Sequence, residues 1–206
     1  MSGTLYDLKP RFQALLRPGV ARLAAAGVTA NQVTIAAFAV SVAAGGFVAW
    51  RADERWPFLL LPVWLFLRMA MNAVDGMLAR EHGQRSALGA YLNELCDVLA
   101  DTALTVPFAL VAPFGWAGVG SVVVLAIVSE MAGALGPMVG APRRYDGPMG
   151  KSDRAFVFGA LGLWIGAGGA TPSWLAWAMP AIAAAIAWNI VNRVRAGVAH
   201  ARDAVR

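Results

Sequence analysis

Long apolar runs, each closed by a short polar stretch, set the pattern of this chain. At the amino end, residues 1–28 mix Lys9, Arg11, Arg17 and Arg22 with Phe12, Leu15, Leu16, Val20 and Leu23. That alternation predicts a basic amphipathic segment lying in a membrane interface. No compact apolar core with a cleavage site follows those charges, so a signal peptide is not expected. Thr29-Ala30-Asn31 supplies capping residues just before an apolar helix. Spans are then predicted over about 32–50, 57–80, 86–111, 115–140, 155–169 and 173–194. A helix rises 1.5 Å per residue, so roughly 20 residues cover the ~30 Å of hydrocarbon. The expected fold is an all-α integral membrane protein, one domain over 1–206, with six transmembrane helices behind the interfacial segment.

The basic residues between the runs give an orientation. Arg80 and Arg85 follow the second span, Arg143, Arg144, Lys151 and Arg154 follow the fourth, and Arg193, Arg195, Arg202 and Arg206 end the chain. On the other side only Arg51 and Arg55 occur, balanced by Asp53 and Glu54. The excess of Lys and Arg on one side predicts both termini in the cytoplasm, in a bacterial inner (plasma) membrane.

Composition agrees with the pattern. Hydrophobic residues make up 59% and charged residues 14%, with a mean hydropathy of +0.59, which excludes an ordinary soluble domain. The net charge of +5 sits between apolar runs, which points to an anionic membrane surface or substrate and not to nucleic acid. The single cysteine, Cys96, leaves no internal disulfide and reads as a small buried hydrophobe.

Against this apolar background, Asn72 to Asp101 concentrates polar residues at helical intervals. Asn72, Asp75, Gly76 and Ala79 share one helix face. Gly89, Asn93, Asp97 and Asp101 step by four along the next helix, drifting only ~40° per step. Carboxylates at membrane depth are costly and are kept for a task. Oxygen donors on neighbouring helices suit a hard divalent cation, Mg²⁺ or Mn²⁺. Gly76, Ala79 and Gly89 leave room for a phosphorylated ligand, and a cation there would clamp a pyrophosphate. A carboxylate facing the acceptor would take the proton of an incoming hydroxyl. The same glycines also suit plain close packing of helices.

Other polar positions carry two readings each. Arg68, one turn before Asn72, either adds positive charge to the same face or pairs with Glu130 or an aspartate. Glu130 is either a bridge within the bundle or part of an acceptor pocket. In the loop from Arg143 to Arg154, Arg143 and Arg144 fit anchoring at the membrane surface. Lys151 and Arg154 start the fifth span and point back to the bundle, as phosphate ligands for an acceptor would. His82 and His200 are assigned no role.

Asp75-Gly76-x-x-Ala79-Arg80, eight residues, then Gly89-x-x-x-Asn93-x-x-x-Asp97 resembles the signature of the CDP-alcohol phosphotransferase family. That signature reads Asp-x-x-Asp-Gly-x-x-Ala-Arg, eight residues, then Gly-x-x-x-Asp-x-x-x-Asp. The stretch from Thr29 to Thr34 resembles the Thr-Pro-Asn-x-x-Thr with which the family begins its first span. The resemblance implies a phosphotransferase that moves a phosphatidyl group from a CDP-activated donor, CDP-diacylglycerol, to an alcohol acceptor, releasing CMP. It implies metal ligation at Asn72, Asp75, Asn93 and Asp97, by Mg²⁺ or Mn²⁺, and a cytidine-diphosphate pocket at Asn31, Gly76, Ala79, Arg80 and Gly89. Asp97 becomes the general base, Lys151 and Arg154 the acceptor site, and a homodimer the expected assembly among membrane lipids. Asn72 and Asn93 stand where the family has its first and third acids. Three outcomes follow: one metal with retained activity, substitution by Asp101 or Glu94, or a non-catalytic scaffold or lipid-binding role.

Overall fold

A computed structural model describes residues 5–203, with side chains from Phe12 onward; the side chains of Lys9 and Arg11, and Arg206, lie outside the described residues. The chain is helical, and no strand occurs among the described residues. Its helices are α1 (Leu5–Ala25), α2 (Ala30–Trp50), α3 (Leu60–Glu81), α4 (Ala87–Thr105), α5 (Gly115–Ala134), α6 (Lys151–Gly166) and α7 (Ala178–Asp203). Among the described residues, four stretches are long and apolar enough to cross a membrane: Ala30–Trp50, Trp56–Glu81, Gly115–Ala134 and Ser173–Asp203. The other two expected spans differ: α4 carries Glu94, Asp97 and Asp101 within 19 residues, and α6 has only 16.

Local chemistry explains where the helices begin and end. Thr29 is extended, its hydroxyl accepts from the Gln32 amide at 3.2 Å, and its own amide donates to Gln32 Oε1 at 2.9 Å. That reciprocal cap starts α2 at Ala30. Ser86 Oγ accepts from the Gly89 amide at 2.9 Å and starts α4. The third expected span, 86–111, stops as an α-helix at Thr105, because Pro107 has no amide hydrogen and Val106–Leu110 tightens into a 3₁₀ turn. Gly136-Pro137 does the same after α5, short of residue 140. α6 begins before residue 155, at Lys151, where the Gly150 amide donates to Asp153 Oδ2 at 3.1 Å. α7 starts at Ala178, behind a 3₁₀ turn over Ser173–Trp177, and runs on past Val194.

α2 is the central element. Both α3 and α4 pack on it and hardly on each other, while α3 packs on α6 and α5 on α7. Ala37, Ser41 and Gly45 form the small-residue stripe that lets neighbours approach α2. Away from the polar motif, Phe108 packs edge-to-face with Phe58, Phe114 and Phe158. Around them lie Leu61, Val119, Ile165, Met179 and Ile186, all fully or almost fully buried. Val63, Phe66, Leu99, Val124 and Leu163 face outward and are exposed, as on a surface that meets lipid. At the motif end α1 lies on α3: Arg17 forks onto Glu81 at 2.9 and 3.0 Å, and Val20 buries with Met77 and Leu78. Because α3 and α4 are separated by α2, a cleft opens between their polar faces.

Candidate functional site

Rungs of side chains cross that cleft in antiparallel register. Deepest, Arg68 of α3 pairs with Asp101 of α4. Its other terminal nitrogen donates to the Asp97 carbonyl at 3.0 Å and to Asp97 Oδ1 at 3.1 Å. One turn along each helix, Asn72 Nδ2 donates to Asp97 Oδ1 at 3.2 Å. Arg68 reaches across because its side chain is long, and it is buried, at 3% exposure.

The mouth of the cleft is built around glycines. A Cβ on Gly76 would lie 2.9 Å from Arg80 Nη1, so the Arg80 guanidinium folds into the space that glycine leaves. A Cβ on Gly89 would lie 2.8 Å from Asn31 Oδ1 and 2.9 Å from Ser86 Oγ. Gln84 ties the α3–α4 loop to the start of α2, accepting from the Ala30 amide at 2.7 Å and donating to the Val28 carbonyl at 3.2 Å. Thr34, one turn into α2, donates to Asp75 Oδ2 at 2.8 Å. The α2 amino terminus therefore holds both motif helices in place. Ala79 packs into the apolar cluster beneath α1, and Asn93 is half-buried one turn from Asp97.

Across from Asp97 lies a basic cluster. Lys151, the first residue of α6, pairs with Asp97 Oδ2. Arg154 donates to Glu130 Oε1 at 3.0 Å and stands 3.5 Å from Asp101 Oδ2. Glu130, on α5, also meets Arg143 at 3.3 Å and Arg193 at 3.6 Å. Arg143 pairs with Glu94 as well; burial pushes its pKa below the ordinary arginine value, and the group stays charged. Arg143, Arg154 and Arg193 thus share one buried carboxylate, and Glu94 and Asp101 are further partners of the first two. Two of them, Arg143 and Arg193, have a buried Nε with no hydrogen-bond partner among the described residues. A cleft lined by Asp101, Lys151 and Arg154 at one end and by Leu104, Val122 and Phe158 at the other runs from here between α4, α5 and α6.

The fold brings Asn72, Asp97 and Lys151 together, sets Asp75 on Thr34, and places Arg154 one bond from Asp101 and Glu130. Arg68 takes the pairing with aspartates, not with Glu130. Arg143, expected as a surface anchor, turns inward. Arg193, expected only as part of a basic tail, is 2% exposed and donates to the Ser129 carbonyl at 2.6 Å. Asn189, one turn before it, accepts from Ser129 Oγ at 2.7 Å. Both stand on the stripe Met179, Ile182, Ile186, Asn189, Arg193 that α7 buries. Two polar residues on an otherwise apolar helical stripe were the signal for them.

These donors decide which metal complement fits. Among the described residues no three Asp, Glu, His or Cys side chains converge as a metal cluster. Asp75 and Asp97, with the amide oxygens of Asn72 and Asn93 on the same two faces, suit one hard dication. They do not suit two, since two carboxylates oppose four positive charges and Asp97 is already paired with Arg68 and Lys151.

An all-helical membrane protein with a carboxylate-bearing cleft facing a basic cluster is the class this geometry defines. The chain belongs to the CDP-alcohol phosphatidyltransferase family, whose model matches residues 27–191. That family acts on CDP-linked donors and alcohol acceptors in membranes and generally uses divalent metal ions. The chain is 43% identical over 195 residues to the inner membrane protein YnbA of Escherichia coli K12, covering 93% of this chain and 95% of that one. It is 33% identical over 129 residues to a phosphatidylinositol phosphate synthase of Mycobacteroides abscessus, covering 60% of this chain and 53% of the synthase. With an archaetidylinositol phosphate synthase of Pyrococcus horikoshii it shares 30% identity over 106 residues, 52% of this chain and 54% of that one. The chain thus spans about half the length of the two synthases.

Proposed function

We propose that this protein transfers a phosphatidyl group from CDP-diacylglycerol to an alcohol acceptor that itself carries a phosphate, releasing CMP, in phospholipid synthesis. The observation that carries this reading is the Lys151–Asp97 pair. It sets a cluster of one lysine and three arginines, whose side chains suit an acceptor phosphate, against the carboxylate that would receive the acceptor's proton. The synthases among the relatives are named for inositol phosphate products, which supports a phosphorylated polyol as acceptor class.

The chain's own residues divide the work. Asn31, Gly76, Ala79, Arg80 and Gly89 form the mouth, where the cytidine diphosphate binds as Arg80 swings from Gly76 onto phosphate. Asp75 and Asp97, with Asn72 and Asn93, would hold one divalent ion, Mg²⁺ or Mn²⁺, which would supply positive charge to the donor diphosphate. Lys151 and Arg154 hold the acceptor phosphate. The acceptor oxygen bonds to the phosphorus that bears the lipid, the phosphorus–oxygen bond to CMP breaks, and the acceptor proton passes to Asp97. In this reading α4 and α6 also cross the bilayer, making six spans, because their charges are paired inside the bundle. α1 lies in the interface, and both termini face the cytoplasm with the cleft mouth.

The test is CMP release from CDP-diacylglycerol by purified protein with Mg²⁺ or Mn²⁺ across phosphorylated and unphosphorylated acceptors. Acceptor-dependent release, lost in Asp97→Asn, is expected. Folded protein that releases no CMP with any acceptor, and is not stabilised by CDP in either metal, would instead support a non-catalytic scaffold on the same fold. Asn72 and Asn93 are the observation that favours that second reading.

A further inference from the structure

The charge in the cleft does not match a pair of metal ions, and the mismatch has a named cause. Four positions on the two faces offer ligands, but only Asp75 and Asp97 bring charge; Asn72 and Asn93 bring neutral amides. Next to them, one turn before the signature begins, stands a cation. Arg68 is buried to 3% exposure in α3. It holds Asp97 through both its side chain and its carbonyl, and pairs with Asp101 one turn deeper. A guanidinium so placed is permanently charged and fixed by three acceptors.

We propose that this protein holds a single divalent ion, and that Arg68 supplies at Asp97 the positive charge that a second ion would bring. The inference deepens the transfer reading given above and rests on it. Asp75, Asp97 and Asp101 bring three negative charges, and Arg68 with one dication brings three positive charges. A second dication would have to settle beside a guanidinium that cannot lose its proton. Asp101 is part of the device, since it gives Arg68 a second anchor and keeps its fork turned towards Asp97. Arg68 is accordingly a positioning residue for Asp97 and a fixed element of the site's charge.

Counting bound Mn²⁺ by electron paramagnetic resonance, in the purified full chain reconstituted in lipid, tests this without reference to turnover. One Mn²⁺ per chain is expected in the wild type, and no more than one in Asn72→Asp/Asn93→Asp, where Arg68 still occupies Asp97. Two are expected once Arg68→Met and Asp101→Asn are added to that pair, which removes the arginine and its partner together. Two ions on the wild type, or on Asn72→Asp/Asn93→Asp with Arg68 intact, overturn the proposal, as does none on the wild type. The wild-type count stands even where a variant fails to fold. CMP release measured on the same samples separates the two readings. One ion bound without transfer overturns the transfer reading alone, and two ions on an active protein overturn the single-ion reading alone.

Discussion

Gly45 on α2 meets the carbonyl of Ala103 on α4 so closely that a Cβ built on it would lie 2.1 Å from that oxygen. The obstacle is backbone, so nothing flexible can move aside. Its neighbour Gly46 faces open space, with nothing within 4 Å of the same built atom. Gly45→Ala must therefore push α4 off α2, and overpacking of this kind costs about 1–3 kcal/mol. Gly46→Ala should be neutral or gain up to about 1 kcal/mol from helix propensity. Thermal unfolding of the two variants in one detergent should separate them in opposite directions. Equal melting temperatures would mean that α2 and α4 are not in this contact.

Glu130 is the single carboxylate that Arg143, Arg154 and Arg193 share. Its removal leaves the Arg193 guanidinium buried without a counter-charge, while Arg143 keeps Glu94 and Arg154 keeps Asp101; breaking a buried pair in this way costs about 3–5 kcal/mol. Glu130→Gln keeps the shape and loses the charge, so a clear drop in melting temperature is expected, with Glu130→Asp in between. An unchanged melting temperature would show that Glu130 is not what balances Arg193 and that Glu94 and Asp101 suffice for the other two.

Much of this was legible beforehand, for physical reasons. The apolar runs and the step-of-four spacing from Gly89 to Asp101 depend only on local periodicity, so α2 to α5 and the polar face of α4 could be read directly. Helix ends read less well: Pro107 and Pro137 end α-helices inside runs that remain hydrophobic, so hydropathy continues where the helix does not. Partner choice was not legible at all. Whether Arg68 would meet Glu130 or Asp101 depends on how α3 and α4 are set around α2, a tertiary fact. Arg193 was hidden for a different reason, since its basic neighbours Arg195 and Arg202 gave it the look of a solvated tail.

Lys151 touches Asp97 in the resting protein and is the most accessible member of the basic cluster, its side chain 27% exposed. If it binds the acceptor's phosphate, its loss removes one charge-assisted hydrogen bond, about 1.5–3 kcal/mol. Lys151→Met should thus raise KM for a phosphorylated acceptor by about tenfold to a hundredfold. KM for the CDP-linked donor should stay within about twofold, since a contact made only with the acceptor leaves donor binding alone. An equal rise in both would move Lys151 from the acceptor side to the donor diphosphate.

Asp97 has the most demanding role, and two of its neighbours make the test a clean one. Asp97→Asn keeps an oxygen for Arg68 and a side chain of the same shape, so the α3–α4 rung survives while the proton acceptor is lost. A positioned general base contributes about 10²–10⁴-fold, and acceptor-dependent CMP release should fall by that order. Asp101→Asn removes a carboxylate of similar exposure that meets Arg68 and Arg154 but stands one turn deeper. It should cost only about tenfold, the scale of loosening one pairing of a positioning residue. Stabilisation by a CDP-linked donor, read as a shift in melting temperature, should persist in Asp101→Asn and weaken in Asp97→Asn, which also gives up one of the two charged ligands proposed for the ion. If Asp101→Asn were instead the more damaging of the two, the proton would be leaving through the deeper rung, and Arg68 would be turning Asp101, not Asp97, towards the acceptor.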